Sequence, residues 1–319
     1  MTATAKSNDL RVGNTSTTKN YDLRRRRILW GWLFLSPWIV GFFLFYFIPM
    51  ISSLVFSFTN FDLSRPNEIE FVGLRNWGSL FADPNVGASL LNTLKYGLVA
   101  LPLSVIIPIL IATLLNDKRL WGKQLVRTLF YLPFMVPTVA SAFIWAGYLN
   151  PETGWLNRFF STIGITLPNW MYDPQAIYFG LFFISLWGIG NSILIMIAGM
   201  QTVPSELYEA ARVDGAPPLT IFRRITLPMI SPVIFYNVVL TTIALFRFFD
   251  APFMLKGSTG NPAGSTLFYN IYVYRVAFPQ QSMGYGSTLA WLLFVIALIV
   301  TIAIFLVARR FVYYANEEN

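Results

Sequence analysis

Histidine and cysteine are both absent from the 319 residues. That removes the imidazole general base, the thiol nucleophile and the usual His/Cys metal set. The acidic residues fall in polar segments between apolar runs, so no cluster of acids, nucleophiles and ligands forms at one depth, as a membrane enzyme would need. No Gly-x-x-x-x-Gly-Lys-Ser/Thr occurs, so the chain lacks the usual cradle for ATP phosphates. What remains is the chemistry of recognition, in two places. One is a short polar segment between long apolar runs, Glu209-Ala210-Ala211, then Gly215, then Ile225-Thr226-Leu227-Pro228. The other is a scatter of hydroxyl, amide and indole side chains inside the runs themselves.

The polar segment predicts a helix pair. Pro204 and Ser205 start a helix, since proline is tolerated in a first turn. Glu206 and Glu209 lie near its positive end. Leu207, Tyr208 and Ala211 make a narrow apolar stripe. Gly215 permits a left-handed backbone, and Pro217-Pro218 prevents continuation. A second short helix runs from about Leu219 to Leu227-Pro228. Two readings fit: a platform on which a partner docks, with small residues where it approaches, or an amphipathic helix lying on a membrane surface without one.

The elements around it are membrane elements. The chain is 55% hydrophobic, 17% aromatic and 12% charged, against roughly 25% charged in soluble domains. Six runs are long enough to cross a hydrocarbon core of about 30 Å: Ile28 to Met50, Gly97–Leu115, Leu129–Leu149, Ile177–Met200, Met229–Phe246 and Thr288–Ala308. Six buried helices of that length would leave a soluble protein of this size too little polar surface. The apolar run after Met1 to Arg27 exceeds a signal-peptide core and has no small-residue cleavage site close behind it, which predicts an anchored first helix.

The net charge of +8 is placed by loop. One side carries Lys6, Arg11, Lys19, Arg24 to Arg27, Lys118, Arg119, Lys123, Arg127, Arg212, Arg223, Arg224, Arg309 and Arg310; the other carries Arg65, Arg75, Lys95, Arg158, Arg247, Lys256 and Arg275. The richer side is cytoplasmic, which puts both termini in the cytoplasm. Arg24 to Arg27 is a topology anchor beside anionic lipid rather than a nucleic-acid site, because no recognition motif accompanies it. Ser7 to Asn20 is expected to be disordered. Outside loops run roughly 51–94, 150–176 and 247–287, with Trp77, Trp155 and Trp170 suited to the interface belt. Pro102, Pro108, Pro133 and Pro137 predict kinks in helices two and three. No internal repeat is visible. The expected organisation is a polar cytoplasmic tail over 1–27, a transmembrane domain over 28–314 with its cytoplasmic loop at about 201–228, and a cytoplasmic tail over 315–319.

Glu-Ala-Ala, three residues, Gly, nine residues, Ile-x-Leu-Pro resembles the signature loop of permease subunits in binding-protein-dependent ABC importers. The match falls at Glu209, Ala210, Ala211, Gly215, Ile225, Leu227 and Pro228 without an insertion. Phe249-Asp250, Met283-Gly284-Tyr285 and Arg309-Arg310-Phe311-Val312-Tyr313-Tyr314 are similar to the first of the two permeases in maltose-type sugar importers. The likeness covers about Ile28 to Tyr314. Some maltose-type members have extra N-terminal helices and a large outside domain; this chain has neither, so the likeness carries no contact made by those parts.

The resemblance implies an all-α integral membrane protein with six transmembrane helices and the ABC type I importer permease architecture, in a bacterial or archaeal cell membrane. It implies a second permease subunit as heterodimer partner, two copies of a cytoplasmic P-loop ATPase, and an extracytoplasmic solute-binding protein. ATP and magnesium then belong to the ATPase, with no cofactor in this chain. Glu209 would make a charged pairing with the ATPase, Ala210 and Ala211 would pack closely, and Gly215 would form the turn. ATP-driven closure would pull the loop; a shift from 1:99 to 99:1 takes about 5.5 kcal/mol of differential binding.

A sugar is held by hydrogen-bonding side chains and aromatic faces. Trp187 with Asn191, Asn237 with Thr241, and Thr138 with Ser141 and Trp145 share helix faces that could meet around a cavity; the same polar residues also serve to bind helices together. Arg247 and Asp250, three apart near the outer end of helix five, form either a gate or an interfacial ion pair. Glycerol phosphate compounds are an alternative cargo. A self-sufficient secondary transporter or channel is the alternative class; it predicts charges deep in the spans and often a repeat, and neither is found.

Overall fold

The computed structural model describes residues 15–117 and 120–312, with side chains from residue 25 onward. Lys6, Arg11, Lys118, Arg119, Tyr313, Tyr314, the 315–319 tail and the side chains of Lys19 and Arg24 lie outside the described residues. Two compact units divide the chain, Met1–Val55 and Phe56–Asn319.

The described residues of the first unit form one long helix. It comprises α1 (Thr15–Phe42), a π turn at Phe43–Phe47, and α2 (Ile48–Phe56). The expected disorder of Ser7 to Asn20 is corrected from Thr15 onward. Extending an existing helix needs no new nucleus, so the apolar run carries the helix back into its polar flank. The π turn has a local cause. Pro49 has no N–H and its ring crowds the carbonyl four residues back; the amide before it, Ile48 N–H, instead reaches Phe43 O five residues away. Trp38, Phe42 and Tyr46 stack in sequence at 5.7 and 6.3 Å along one face.

In the second unit the elements are α3 (Arg75–Ala82), α4 (Pro84–Asn116), α5 (Lys123–Tyr131) with a 3-10 turn at Leu132–Met135, α6 (Thr138–Tyr148), α7 (Trp155–Thr162), α8 (Ala176–Trp187) and α9 (Gly190–Gln201). There follow α10 (Ser205–Val213), α11 (Pro218–Ile221), a π turn at Phe222–Thr226, α12 (Leu227–Met229), α13 (Ser231–Phe246), α14 (Asp250–Lys256), α15 (Tyr269–Ala277) and α16 (Met283–Ala308). Among the described residues no strand occurs beyond a single bridge between Thr59 and Phe71.

Among the described residues four helices are long and apolar enough to cross a membrane: Arg25–Phe56, Pro84–Asn116, Ser231–Lys256 and Met283–Ala308. Two bent pairs bring the number to six if each is one crossing. Lys123–Met135 turns 99° into Thr138–Tyr148, and Ala176–Trp187 turns 54° into Gly190–Gln201. The kink expected in the third span is a full break at Val136-Pro137. The kink expected in the second is not a break: α4 runs through Pro102 and Pro108 while packed along α9, α13 and α15. The bend in the fourth span has no proline. The Gly188 and Ile189 amides reach back only three residues, to Ser185 O and Leu186 O, which tightens and ends the helix there.

Two apolar clusters hold this unit. One gathers Leu80, Tyr96, Ile177, Leu181, Phe268, Tyr269, Ile271, Tyr272 and Leu289; the other gathers Val105, Ile109, Ile193, Met196, Ile197, Met200 and Ile230. Much of the first comes from the stretch read as an outside loop: Tyr269 and Ile271 are fully buried. Polar side chains on α4 tie that stretch down. Thr93 Oγ accepts from Tyr269 N–H at 3.0 Å, and Asn92 donates to Gly264 O and Leu267 O at 2.8 and 3.1 Å. Of the three tryptophans assigned to the interface belt, Trp155 is exposed, while Trp77 and Trp170 pack inward.

Candidate functional site

The polar loop folds as the predicted helix pair. α10 starts directly after Pro204, and its end is a complete Schellman cap. Gly215, at φ +71, donates to Arg212 O at 3.0 Å, and Ala216 N–H donates to Ala211 O at 2.9 Å. The cap satisfies two carbonyls that the helix leaves open. The second arm, from Pro218 to Met229, contains a π turn with the same cause as the one in the first unit. Pro228 displaces the normal ladder, and Leu227 N–H reaches Phe222 O.

This geometry divides the seven motif residues. Ile225 and Leu227 are half-buried against the apolar cluster of α9 and Ile230, together with Tyr208 and Phe222. Tyr208 and Thr226 join the two arms through their hydroxyls at 3.2 Å. On the other side Glu206, Glu209, Ala210 and Val213 are exposed, Val213 at 88%. Neither glutamate forms an ion pair within 4.0 Å with a described residue. The second arm anchors the pair to the bundle, and α10 presents two carboxylates and an apolar side chain outward.

A second feature lies where three chain breaks meet. A cavity of about 350 Å3 is lined by Pro133, Phe134, Val136, Thr138 and Ser141 at the first break, by Ile184, Ser185, Trp187 and Gly188 at the second, and by Ala244 and Arg247 to Ala251 at a third, between α13 and α14. Breaks release backbone polar groups from the helical ladder, which membrane proteins tolerate where a cavity is lined. Of the predicted substrate residues, Thr138, Ser141 and Trp187 come together here. Trp145 stands behind Trp187 in an edge-to-face contact at 5.7 Å. Asn191, Asn237 and Thr241 do not line it; Asn237 is buried and accepts from Thr241 Oγ at 3.2 Å, one turn along the same helix. Arg247 and Asp250 both line the cavity, but they are parted by the break. Among the described residues the one ion pair within 4.0 Å joins Arg65 and Glu68. Sequence spacing does not single out Ser185 or Phe248, and marks Phe249 only through the resemblance; their signal is a cavity formed by breaks, which one-dimensional spacing does not display.

The two features are mechanically joined. α9 runs from the Gly188 break to α10, and α13 runs from α12 to the break at Arg247. At 1.5 Å per residue these are rods of about 18 and 24 Å. They touch where Gly199 faces Val233: a Cβ on Gly199 would lie 2.8 Å from Val233 Cγ2.

On the far side of the unit Asp83 clasps three elements. It caps α4 by accepting from Asn85 N–H at 2.9 Å, and its other oxygen accepts from the Tyr272 hydroxyl and from the Tyr285 hydroxyl at 2.9 Å. Burial pushes its carboxyl up, and these hydrogen bonds outweigh it, so the pKa lies below the ordinary 3.8.

The profile of the family described as "Binding-protein-dependent transport system inner membrane component" matches residues 104–316. A "Probable ABC transporter permease protein YesP" of Bacillus subtilis is 36% identical over 310 residues, covering 96% of this chain and 99% of its own. The "Trehalose/maltose transport system permease protein MalF" of Thermococcus litoralis is 31% identical, over 93% of this chain and 99% of its own. Among solved structures, a chain of a bacterial alginate ABC transporter, in complex with a periplasmic protein bound to alginate pentasaccharide, superimposes with a TM-score of 0.79. It is 24% identical and covers 91% of this chain and 96% of that one, a likeness of fold.

Proposed function

Because the chain belongs to the family of binding-protein-dependent transport system inner membrane components, and so is a membrane-embedded permease subunit of an ABC importer, we propose that its cargo is a sugar or oligosaccharide. Family membership sets aside the self-sufficient transporter. The relatives whose printed names mention trehalose, maltose and arabinooligosaccharides support a sugar over a glycerol phosphate compound. The cavity supports it too: Thr138, Ser141 and Ser185 offer hydroxyls, Trp187 offers an indole face, and Arg247 and Asp250 offer charged hydrogen bonds.

In this reading the exposed face of α10 docks in a cytoplasmic P-loop ATPase, with Glu209 paired to a cation there and Ala210 and Ala211 packed closely. Two ATPase copies, a second permease and a solute-binding protein complete the importer, and ATP with magnesium is held by the ATPase. Both termini are cytoplasmic, as the loop charges argue. The observation that carries the mechanism is the pair of rods: α9 and α13 both run from the docking pair to breaks that line the cavity, so a pull on α10 through α12 reaches the cavity walls directly.

The test is affinity purification of the tagged chain from native membranes in mild detergent, with mass spectrometry of what accompanies it. A second six-span permease, a P-loop ATPase and a binding protein carrying a sugar are expected. A binding protein loaded with a glycerol phosphate compound would overturn the cargo, and recovery of the chain alone would overturn the assembly.

A further inference from the structure

α5 carries a polar stripe at i, i+1, i+4, i+5 and i+8: Lys123, Gln124, Arg127, Thr128 and Tyr131. These five, with Gly122 and Leu194 of α9, line a cavity of about 640 Å3. On other faces of the helix Leu125 and Leu129 are exposed, and Trp121, just before it, is 95% exposed. The segment is turned 99° from α6. The exposed apolar side chains and the basic stripe lie on different faces of α5, the division of a helix that meets a membrane interface.

Among the described residues, none that lines this cavity offsets its positive charge. No acidic residue lines it, none stands in the first turn of α5, and the cap residue Gly122 supplies no side-chain oxygen. Neither Lys123 nor Arg127 forms an ion pair within 4.0 Å with a described residue. Arg127 gives one N–H to Leu115 O at 3.3 Å, closing the end of α4, and its Nε is buried with no acceptor. A helix N-terminus, an ammonium and a guanidinium that face one cavity make an anion site.

We propose that this cavity holds the phosphate of an anionic phospholipid. The shared chemistry is a phosphate group, which a free anion could also supply. The lipid is favoured by Trp121, Leu125 and Leu129, whose exposed apolar surface suits an interface and not water. Its assignment to the cytoplasmic leaflet rests on the orientation proposed above. A lipid seated there braces α5 against α9, the rod that leads to the docking pair.

The complex purified through this chain is offered dioctanoyl phosphatidylglycerol, dioctanoyl phosphatidylcholine or inorganic phosphate, and binding is read by native mass spectrometry. The glycerol lipid is expected to bind in preference to the choline lipid and to resist inorganic phosphate. Lys123→Gln is expected to weaken it about fivefold, the contribution of one basic residue near an anionic surface, and Lys123→Arg to restore it. Arg127 is left in place because it also closes α4. Equal binding of the two lipids, or unchanged affinity in Lys123→Gln, overturns the site. Displacement by inorganic phosphate at matched concentration overturns the lipid as its source. Co-purification of the ATPase is scored separately, so failure of the lipid site and failure of the importer reading are distinguishable.

Discussion

Ala211 and Gly215 stand four apart because the Schellman cap sets that distance: the residue whose carbonyl closes the cap lies four before the left-handed one. Nothing lies within 4 Å of a Cβ built on Gly215, so a substitution there costs backbone strain and not a clash. Gly215→Leu is expected to cost about 1–2 kcal/mol and to reduce the ATPase recovered with the tagged chain. Gly215→Asn, which adds a side chain but tolerates the left-handed region, is expected to keep most of it. Equal loss in both would show that the partner needs the missing side chain and not the turn. Asp83 gives a second test. Its pKa is lowered on folding, so its contribution is complete above the ordinary carboxylate value and is lost as pH falls below 3.8 through the folded value. Asn caps a helix about as well as Asp, so Asp83→Asn isolates the clasp to Tyr272 and Tyr285. The variant is expected to lose about 1 kcal/mol at neutral pH, and the difference from wild type to shrink as pH falls below 3.8 through the folded value. Unfolding midpoints across that range measure both.

At the scale of elements, the rods α9 and α13 act as a unit only while they stay in contact at Gly199 and Val233. Val233 is β-branched and stiff, so the Cβ of Gly199→Ala acts as a wedge beside the docking pair. The expected result is a complex that still assembles, loses about 1–3 kcal/mol of stability, and no longer couples binding-protein addition to ATP hydrolysis. Unaltered stimulation of the ATPase would show that the rods move independently. The helix pair itself was legible in the sequence, since caps, glycine and prolines are local signals: a helix from Ser205, a stop at Gly215 and a second arm to Leu227-Pro228 all stand in the structure. That Ile225 and Leu227 face the bundle was not legible, because the π turn before Pro228 re-aims them by a fraction of a turn. The six apolar runs were legible for the same reason of local composition. The bend at Gly188 and the packed core around Phe268 and Tyr269 were not; both depend on neighbours distant in sequence, such as Asn92 and Thr93 of α4.

For the whole molecule, the question is whether the cavity at the three breaks is where cargo passes. Sequence spacing grouped Thr138, Ser141 and Trp187 with Asn237 and Thr241; the first three line this cavity and the last two do not, because a shared helix face does not say which neighbour the face meets. Trp187 is 45% exposed and held by Trp145 edge-to-face, so its indole is presented by a rigid support and loses little freedom on binding. Removing it should affect passage without disturbing the distant docking pair. In the reconstituted complex Trp187→Ala is expected to leave basal ATP hydrolysis and ATPase attachment at wild-type levels, while uptake of the sugar carried by the co-purified binding protein falls about tenfold, the cost of one aromatic contact of 0.5–1.5 kcal/mol beyond its buried area. Asn237→Ala should do the reverse: it unseats Thr241 and lowers stability, with uptake reduced only in proportion to folded protein. If both variants lose uptake equally at equal folded amount, the route includes the Asn237 face and the cavity at the breaks is only one part of it.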